Sequence, residues 1–379
     1  MEALTGGRIF TGDRIVEDRA VLIDEGRIVD VVPEGSVPPG ARRTPLEGGL
    51  LAPGFIDVQV NGGGGVLFND EPTVEAVRRI AAAHRAFGTT GLLPTLITDL
   101  PEKMPRAIAA VAEAIRLGVP GILGIHLEGP FLNVARKGVH EADKIRPATE
   151  ADLPVLTSLG SGRTVVTLAP ELAPPGFIRR LAAAGVLVSA GHTAASHDQI
   201  VAALAEGVSG FTHLFNAMTP LSSREPGAVG AALADPRSWC GLIVDGHHVH
   251  PASAKVAIAA KARGRMMLVT DAMPPVGADD PSYRLRGETI TVVGGRCATA
   301  DGTLAGSALD MASAVRNTVR LVGLDLEEAL RMASLYPAGF LGMDGERGRI
   351  APGYRADLVL LDDALDVRAT WIDGAEARH

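Results

Sequence analysis

A (β/α)8 TIM-type barrel with a small β-sandwich built from both chain ends is the α/β fold this sequence predicts. Three observations carry that expectation: eight short apolar runs, Ala-rich helical stretches between them, and an alternating β texture confined to the two ends. The 379 residues and the 46% hydrophobic fraction allow a sizeable core.

Residues 4–51 hold short alternating runs broken by Gly12-Asp13 and Glu25-Gly26, which signal tight turns. The segment from Gly348 to Gly374 has the same texture. These ends are expected to pair as one small domain, residues 1–52 plus 347–379, around a barrel domain of residues 53–346. The barrel strands are read as FIDVQV (55–60), GLLPTLI (91–97), ILGIHLE (122–128), TVVTLAP (164–170), VLVSAG (186–191), FTHLF (211–215), GLIVDG (241–246) and MMLVTD (266–271). Helices are expected between them, including 74–87, 105–117 and 251–262. In the helix after VLVSAG, Ser196 and Gln199 form a capping-box pattern, and Ile200, Val201, Ala203 and Leu204 are read as one apolar side. Beyond the eighth strand, 283–302 reads as a hairpin-like insertion, with helices around 307–322 and 326–336. An open doubly wound sheet is disfavoured, because NGGGG at 61–65 lacks the G-x-G-x-x-G spacing.

A formal net charge of −8 speaks against nucleic-acid or anionic-membrane partners. Cys240 and Cys297 have no C-x-x-C spacing, so a reducing compartment is expected. No signal-peptide pattern is visible, and no apolar run approaches the ~18 residues of a membrane span. A soluble cytoplasmic protein follows.

Barrel chemistry sits where strands end at their C-terminal side. Those ends read Gln59 and Asn61, Glu128, His192, His213, Asp245 with His248 just beyond, and Asp271. VLVSAG and FTHLF are consecutive parallel strands, so His192 and His213 can converge. With Glu128 they make a three-ligand metal site that keeps one position open for water. Asp271 is placed to accept a proton from that water and pass it to a leaving nitrogen.

The stretches PGFIDVQVNG, HLEGPFLN, KGVH, SAGHT, THLFNAM, REPG, DGHHV, LVTDA and LAGS occur in this order. Together they resemble the N-acetylglucosamine-6-phosphate deacetylases of the amidohydrolase superfamily, over nearly the whole chain. The resemblance implies hydrolysis of the sugar's acetamido group to give glucosamine 6-phosphate and acetate. It implies Glu128, His192 and His213 as metal ligands, Asp271 as general base and acid, and His140 as the group that steadies the developing oxyanion. Val139, Asn216, Ala217 and Leu304–Ala305–Gly306 would contact substrate. Arg224 and His248 would hold the phosphate, with Arg224 reaching across the interface of a homodimer. The superfamily commonly carries H-x-H on its first strand, where this chain has Gln59-Val60-Asn61. Amides are poor ligands for such a second ion, so one divalent metal per subunit is expected, zinc first and ferrous iron second. His126 is read as an inward-packing or supporting residue. An N-acetylgalactosamine-6-phosphate deacetylase, a dihydroorotase-type cyclic-amide hydrolase and a non-catalytic binding barrel are the alternatives. Gln59 and Asn61 speak against the second, and the intact Glu128, His192, His213 and Asp271 against the third.

Overall fold

Eight parallel strands pair in sequence order around a barrel in the computed structural model, which describes residues 1–285 and 287–379. They are β1 Phe55–Val60, β2 Thr89–Ile97, β3 Gly124–Glu128, β4 Arg163–Leu168, β5 Leu187–Ala190, β6 Val208–Phe211, β7 Trp239–Leu242 and β8 Met266–Leu268. The ring is brought together beyond β8, where Val60 bridges Ala272 and the Asp271 N–H donates to the Gln59 carbonyl at 3.0 Å. β1 and β2 are buried along their whole length, as expected of strands covered on both faces. Pro94 cannot donate to a neighbouring strand; it sits where the β1–β2 register shifts between Leu92 and Pro94.

Each strand is followed by at least one helix: α1 Val74–Arg85, α2 Lys103–Arg116, α3 Asp152–Leu156, α4 Phe177–Ala183, α5 His197–Glu206, α6 Gly227–Ala234, α7 Pro251–Ala260 and α8 Met311–Asn317. Thr73 caps α1 by accepting from the Ala76 N–H, and Ala76, Val77, Ile80, Ala81 and His84 turn inward. The capping box at Ser196 forms as the sequence predicts. Val201 does not face the core: it is 48% exposed, while Ile200 and Ala203 are buried. One step of ~100° past Ile200 carries it off the narrow face that α5 lays on the barrel.

Two sheets from the chain ends stack beside the barrel. One is four-stranded and drawn from residues 2–45; the other has six strands, three from the N-terminal segment and three from 358–378. Leu4, Ile9, Val21, Leu51, Leu358 and Trp371 are buried together in their shared core. The insertion is a three-stranded antiparallel sheet, Ser282–Leu285, Glu288–Val293 and Arg296–Cys297, one strand more than a hairpin. The helix expected at 307–322 is shorter. Ser307 is taken up in a bridge to Ala272, so α8 starts only after its Asp310 cap and ends in a π turn, Thr318–Val322. The helix expected at 326–336 breaks at Ser334 into Leu326–Ala333 and Leu335–Phe340.

Inside the barrel a polar chain crosses five strands beneath the rim. His126 Nδ1 donates to the Val58 carbonyl at 3.0 Å, so its Nε2 accepts from the Thr167 hydroxyl at 2.7 Å. Thr167 accepts in turn from Thr212 at 2.6 Å, and Thr212 from Ser189 at 2.7 Å. Burial pushes His126 down to about 4, which keeps the ring neutral and this direction of donation intact. His126 is thus the inward supporting residue expected of it. Replacing Thr212 by Val strips Ser189 of its acceptor inside the barrel. A loss of about 1–3 kcal/mol is expected in urea unfolding. Val201→Ser, on the exposed side of α5, should stay within about 0.5 kcal/mol of wild type.

Candidate active site

The pairing register levels two histidines on the rim. Ala190 of β5 lies opposite Phe211 of β6, and both strands stop there; His192 and His213 are each two residues further on. Both adopt left-handed backbone, with φ of 48° and 34°, which turns their rings over the barrel mouth. Glu128 is the last residue of β3. Its Oε1 lies 3.1 Å from His192 Nε2 and 2.9 Å from His213 Nε2, and the two imidazole nitrogens are 3.1 Å apart. His192 Nδ1 donates to the Arg136 carbonyl at 2.8 Å, which orients the ring with Nε2 facing the cluster.

This set of one carboxylate and two imidazoles suits a divalent ion. Ligands about 2.0–2.1 Å from a tetrahedral ion lie roughly 3.3 Å apart, so an opening of a few tenths of an ångström would admit one. A ring nitrogen of His140 lies within 4.8 Å of ligand atoms of Glu128 and His192. Its Nδ1 faces Thr98, 2.8 Å from the hydroxyl and 3.4 Å from the backbone N–H. That N–H makes Nδ1 an acceptor, so the neutral ring carries its proton on Nε2.

Asp271 stands on the opposite side, past the end of β8, with φ of 54°. Ser307, in the LAGS stretch, pins it by donating its N–H to the Asp271 carbonyl at 2.9 Å and its hydroxyl to the Thr270 carbonyl at 2.6 Å. Gly306 has φ of 64°, and a Cβ there would come within 2.4 Å of Met273. The Gln59 amide donates to Glu128 Oε2 and Asp271 Oδ1, both at 3.1 Å, while Asn61 Nδ2 donates to the same Asp271 oxygen at 2.6 Å. Burial raises the Asp271 carboxyl above the usual range, and the nearby charge of Glu128 adds to that. Burial also works to raise Glu128, but the hydrogen bonds from His192 and His213 outweigh it and hold the group well below its ordinary value. For His213, burial works downward, and the hydrogen bond and charge of Glu128 carry it upward.

A cavity of about 370 Å³ opens over this cluster. Asn61, Glu128, His192, His213 and Asp271 line it, together with Val139, His140, Asn216, Ala217, His248, Leu304 and Gly306 from the expected substrate contacts. Two expected contacts do not. Ala305 is fully buried beneath the wall, where its carbonyl accepts from the Tyr283 hydroxyl. Arg224 lies on an exposed loop away from the cavity of its own chain, so one chain alone does not bring it to the site. His248 Nδ1 donates to Asp245 Oδ2 at 2.6 Å, and His250 caps α7.

Residues 50–377 match the amidohydrolase family, and residues 1–51 the NagA composite domain. The chain belongs to the amidohydrolase family. It is 45% identical to an N-acetylgalactosamine-6-phosphate deacetylase of Shewanella sp. (strain ANA-3), over 97% of this chain and 94% of that one. It is 36% identical to an N-acetylglucosamine-6-phosphate deacetylase of Haemophilus influenzae, over 98% of both. The crystal structure of N-acetylglucosamine-6-phosphate deacetylase from Pasteurella multocida superposes with a TM-score of 0.96 at 35% identity, covering 100% of each chain.

Several residues of this amidohydrolase site escaped the sequence reading. Glu171 accepts from the Asn133 amide at 2.9 Å, the Thr193 hydroxyl at 2.6 Å and the Ala194 N–H at 2.7 Å, tying together the loops after β3, β4 and β5. Arg136 and Thr98 were missed too; neither has a spacing signal, because each acts through a contact distant in sequence.

The opposed shifts at Glu128 and His213 set a pH dependence for the metal-free protein. The lowered carboxyl contributes stability that is fully present above its unfolded value of 4.5 and is lost as pH falls. The raised imidazole contributes below 6.5, and that contribution is lost as pH rises through its folded value. Chelator-treated protein should therefore have a higher melting temperature at pH 5.5–6 than at pH 8.5. The His213→Asn variant should flatten that slope, as measured by calorimetry.

Proposed function

We propose that this amidohydrolase hydrolyses N-acetyl-D-glucosamine 6-phosphate to D-glucosamine 6-phosphate and acetate, in amino-sugar catabolism. The observation that carries the reading is the convergence of Glu128, His192 and His213 within 3.1 Å of one another across the cavity floor from Asp271. The deacetylases to which the chain is similar over nearly its full length support it. Glu128, His192 and His213 would hold one divalent ion, zinc or ferrous iron, which when bound supplies an activated water near neutral pH and polarises the amide carbonyl.

The rest of the reaction falls to the chain's own side chains. Asp271 takes the proton of the attacking water on Oδ2, because Oδ1 already accepts from Gln59 and Asn61. A carboxylate held on one oxygen in this way has the other free to accept a proton and return it. His140 donates from Nε2 to the carbonyl oxygen as charge builds there. The C–N bond breaks when Asp271 hands its proton to the nitrogen, releasing acetate and the amine. Asn216, Ala217 and the 304–306 loop would shape the sugar site, and His248 would meet the phosphate.

Arg224 would complete the phosphate site of a neighbouring subunit in a homodimer. Its exposed guanidinium has no hydrogen bond or ion pair among the described residues, which fits a partner outside the chain. Residues 1–52 with 347–379 would form the small domain and 53–346 the barrel domain. A cytoplasmic setting agrees with two buried free thiols, Cys240 and Cys297, whose ionisation burial pushes up to about 12. No helix among the described residues is long and apolar enough to cross a membrane.

A second substrate is N-acetylgalactosamine 6-phosphate, favoured by the 45% identity to the Shewanella enzyme against 36% to the Haemophilus one. Acetate release from the 6-phosphates of N-acetylglucosamine, N-acetylgalactosamine and N-acetylmannosamine tests both. The first should turn over with the highest kcat/KM, and a dominant galacto epimer would replace it. Asp271→Asn should lower kcat by about 10²–10⁴-fold while one equivalent of metal stays bound, by elemental analysis. Subunits carrying Arg224→Ala should be poor enzymes alone. Mixed dimers with Asp271→Asn subunits should regain activity, since one of the two sites then has both groups. Verified mixed dimers without recovery would remove Arg224 from the neighbour's site.

A further inference from the structure

The cavity has an acidic floor, and an anionic substrate has to enter it. Glu128 and Asp271 line it, Asp245 backs His248, and the chain carries a net charge of −8. Among the described lining residues only Arg136 is a lysine or arginine.

Arg136 is half-buried, yet its guanidinium has no hydrogen bond or ion pair among the described residues. Other half-buried arginines of the chain are occupied. Arg146 grips Asp152, Arg163 bonds the Leu341 carbonyl, Arg316 bonds Asp366, and Arg331 pairs with Glu328. An unpaired cation facing a cavity leaves its donors to whatever the cavity receives.

The backbone that carries it is held on both sides. The Arg136 N–H donates to the Asn133 carbonyl at 2.8 Å, and the Asn133 N–H donates to the His192 carbonyl at 2.9 Å. Its own carbonyl accepts from His192 Nδ1 at 2.8 Å. The side chain therefore swings from a fixed point, and binding has only its own rotamers left to order. Neighbouring Lys137 does not compete for this role: its Nζ donates to the Gly138 carbonyl at 3.2 Å, and it lines an adjoining groove with Glu288 and Asp301.

We propose that Arg136 is a same-chain specificity residue that binds the phosphate of the substrate. The assignment rests on the phosphosugar reading above. A planar guanidinium offers two parallel N–H donors to two phosphate oxygens, and no other lysine or arginine among the described lining residues supplies such a cation. Arg136 thus serves the site twice, through a carbonyl that orients His192 and a side chain that selects the anion. Substitution separates the two, because every replacement keeps the carbonyl.

The test compares metal-loaded wild type with Arg136→Ala and Arg136→Lys on N-acetylglucosamine 6-phosphate and on unphosphorylated N-acetylglucosamine. The readout is the ratio of the two kcat/KM values. Arg136→Ala should lower that ratio by about 10- to 100-fold, mostly through KM for the phosphosugar, and Arg136→Lys should restore part of it. Inorganic phosphate should inhibit Arg136→Ala more weakly by a similar factor, and metal content should not change. A ratio within about 2-fold of wild type in Arg136→Ala overturns the assignment, including the case where both substrates decline together. A wild type with no preference for the phosphosugar overturns the substrate reading instead.

Discussion

Gln59 closes the barrel and builds the site with one residue. Its carbonyl accepts the Asp271 N–H at 3.0 Å and so joins the first strand to the segment beyond the last. Its side-chain amide donates to Glu128 and to Asp271 at 3.1 Å, across the mouth that this seam has just closed. Strand closure and carboxylate placement therefore cannot vary independently. A shift of the seam by one residue would turn Gln59 to the other face and leave two buried carboxylates without their shared donor.

Two buried carboxylates at close quarters need compensation, and the rim supplies it in two currencies. Around Glu128 it is imidazole, from His192 and His213, a set that a small opening would fit to a cation. Around Asp271 it is neutral amide from Gln59 and Asn61. The difference matters for chemistry. Amides orient the Asp271 carboxylate without adding charge, and in the metal-free protein burial raises its proton affinity. The Gln59-Val60-Asn61 spacing thus does more than omit ligands: it leaves one carboxylate between two imidazoles and the other between two neutral amides.

Much of this was readable because barrel function collects at strand ends, and strand ends are visible as small or polar residues after apolar runs. That logic singled out Glu128, His192, His213 and Asp271, and the family resemblance added His140 and the loop contacts; the fold brings the five residues to one cavity. Element ends were less legible: β6 stops at Phe211 although FTHLF reads as a strand, because His213 takes a left-handed conformation that no strand pattern reports. Ala305 and its neighbours Leu304 and Gly306 look alike in sequence, yet Ala305 turns inward as its carbonyl meets Tyr283. Glu171 and Arg136 act through partners that only the closed barrel brings near, so nothing local marks them.

The same left-handed residues show how the fold sustains its site. His192, His213 and Asp271 all have positive φ without being glycine, a conformation that costs of order 1–3 kcal/mol per residue. His192 and Asp271 are held by bonds from other parts of the chain, and His213 by a bond within its own turn. The Asn133 N–H donates to the His192 carbonyl, the Asn216 N–H to the His213 carbonyl, and the Ser307 N–H to the Asp271 carbonyl. Asn133, Asn216 and Ser307 lie in HLEGPFLN, THLFNAM and LAGS, three of the stretches that carry the family resemblance. The donors are backbone N–H groups, so it is the course of the chain at 133, 216 and 307, rather than the side chains there, that holds the three residues in conformations that would otherwise relax, and among replacements only proline would remove a bond outright.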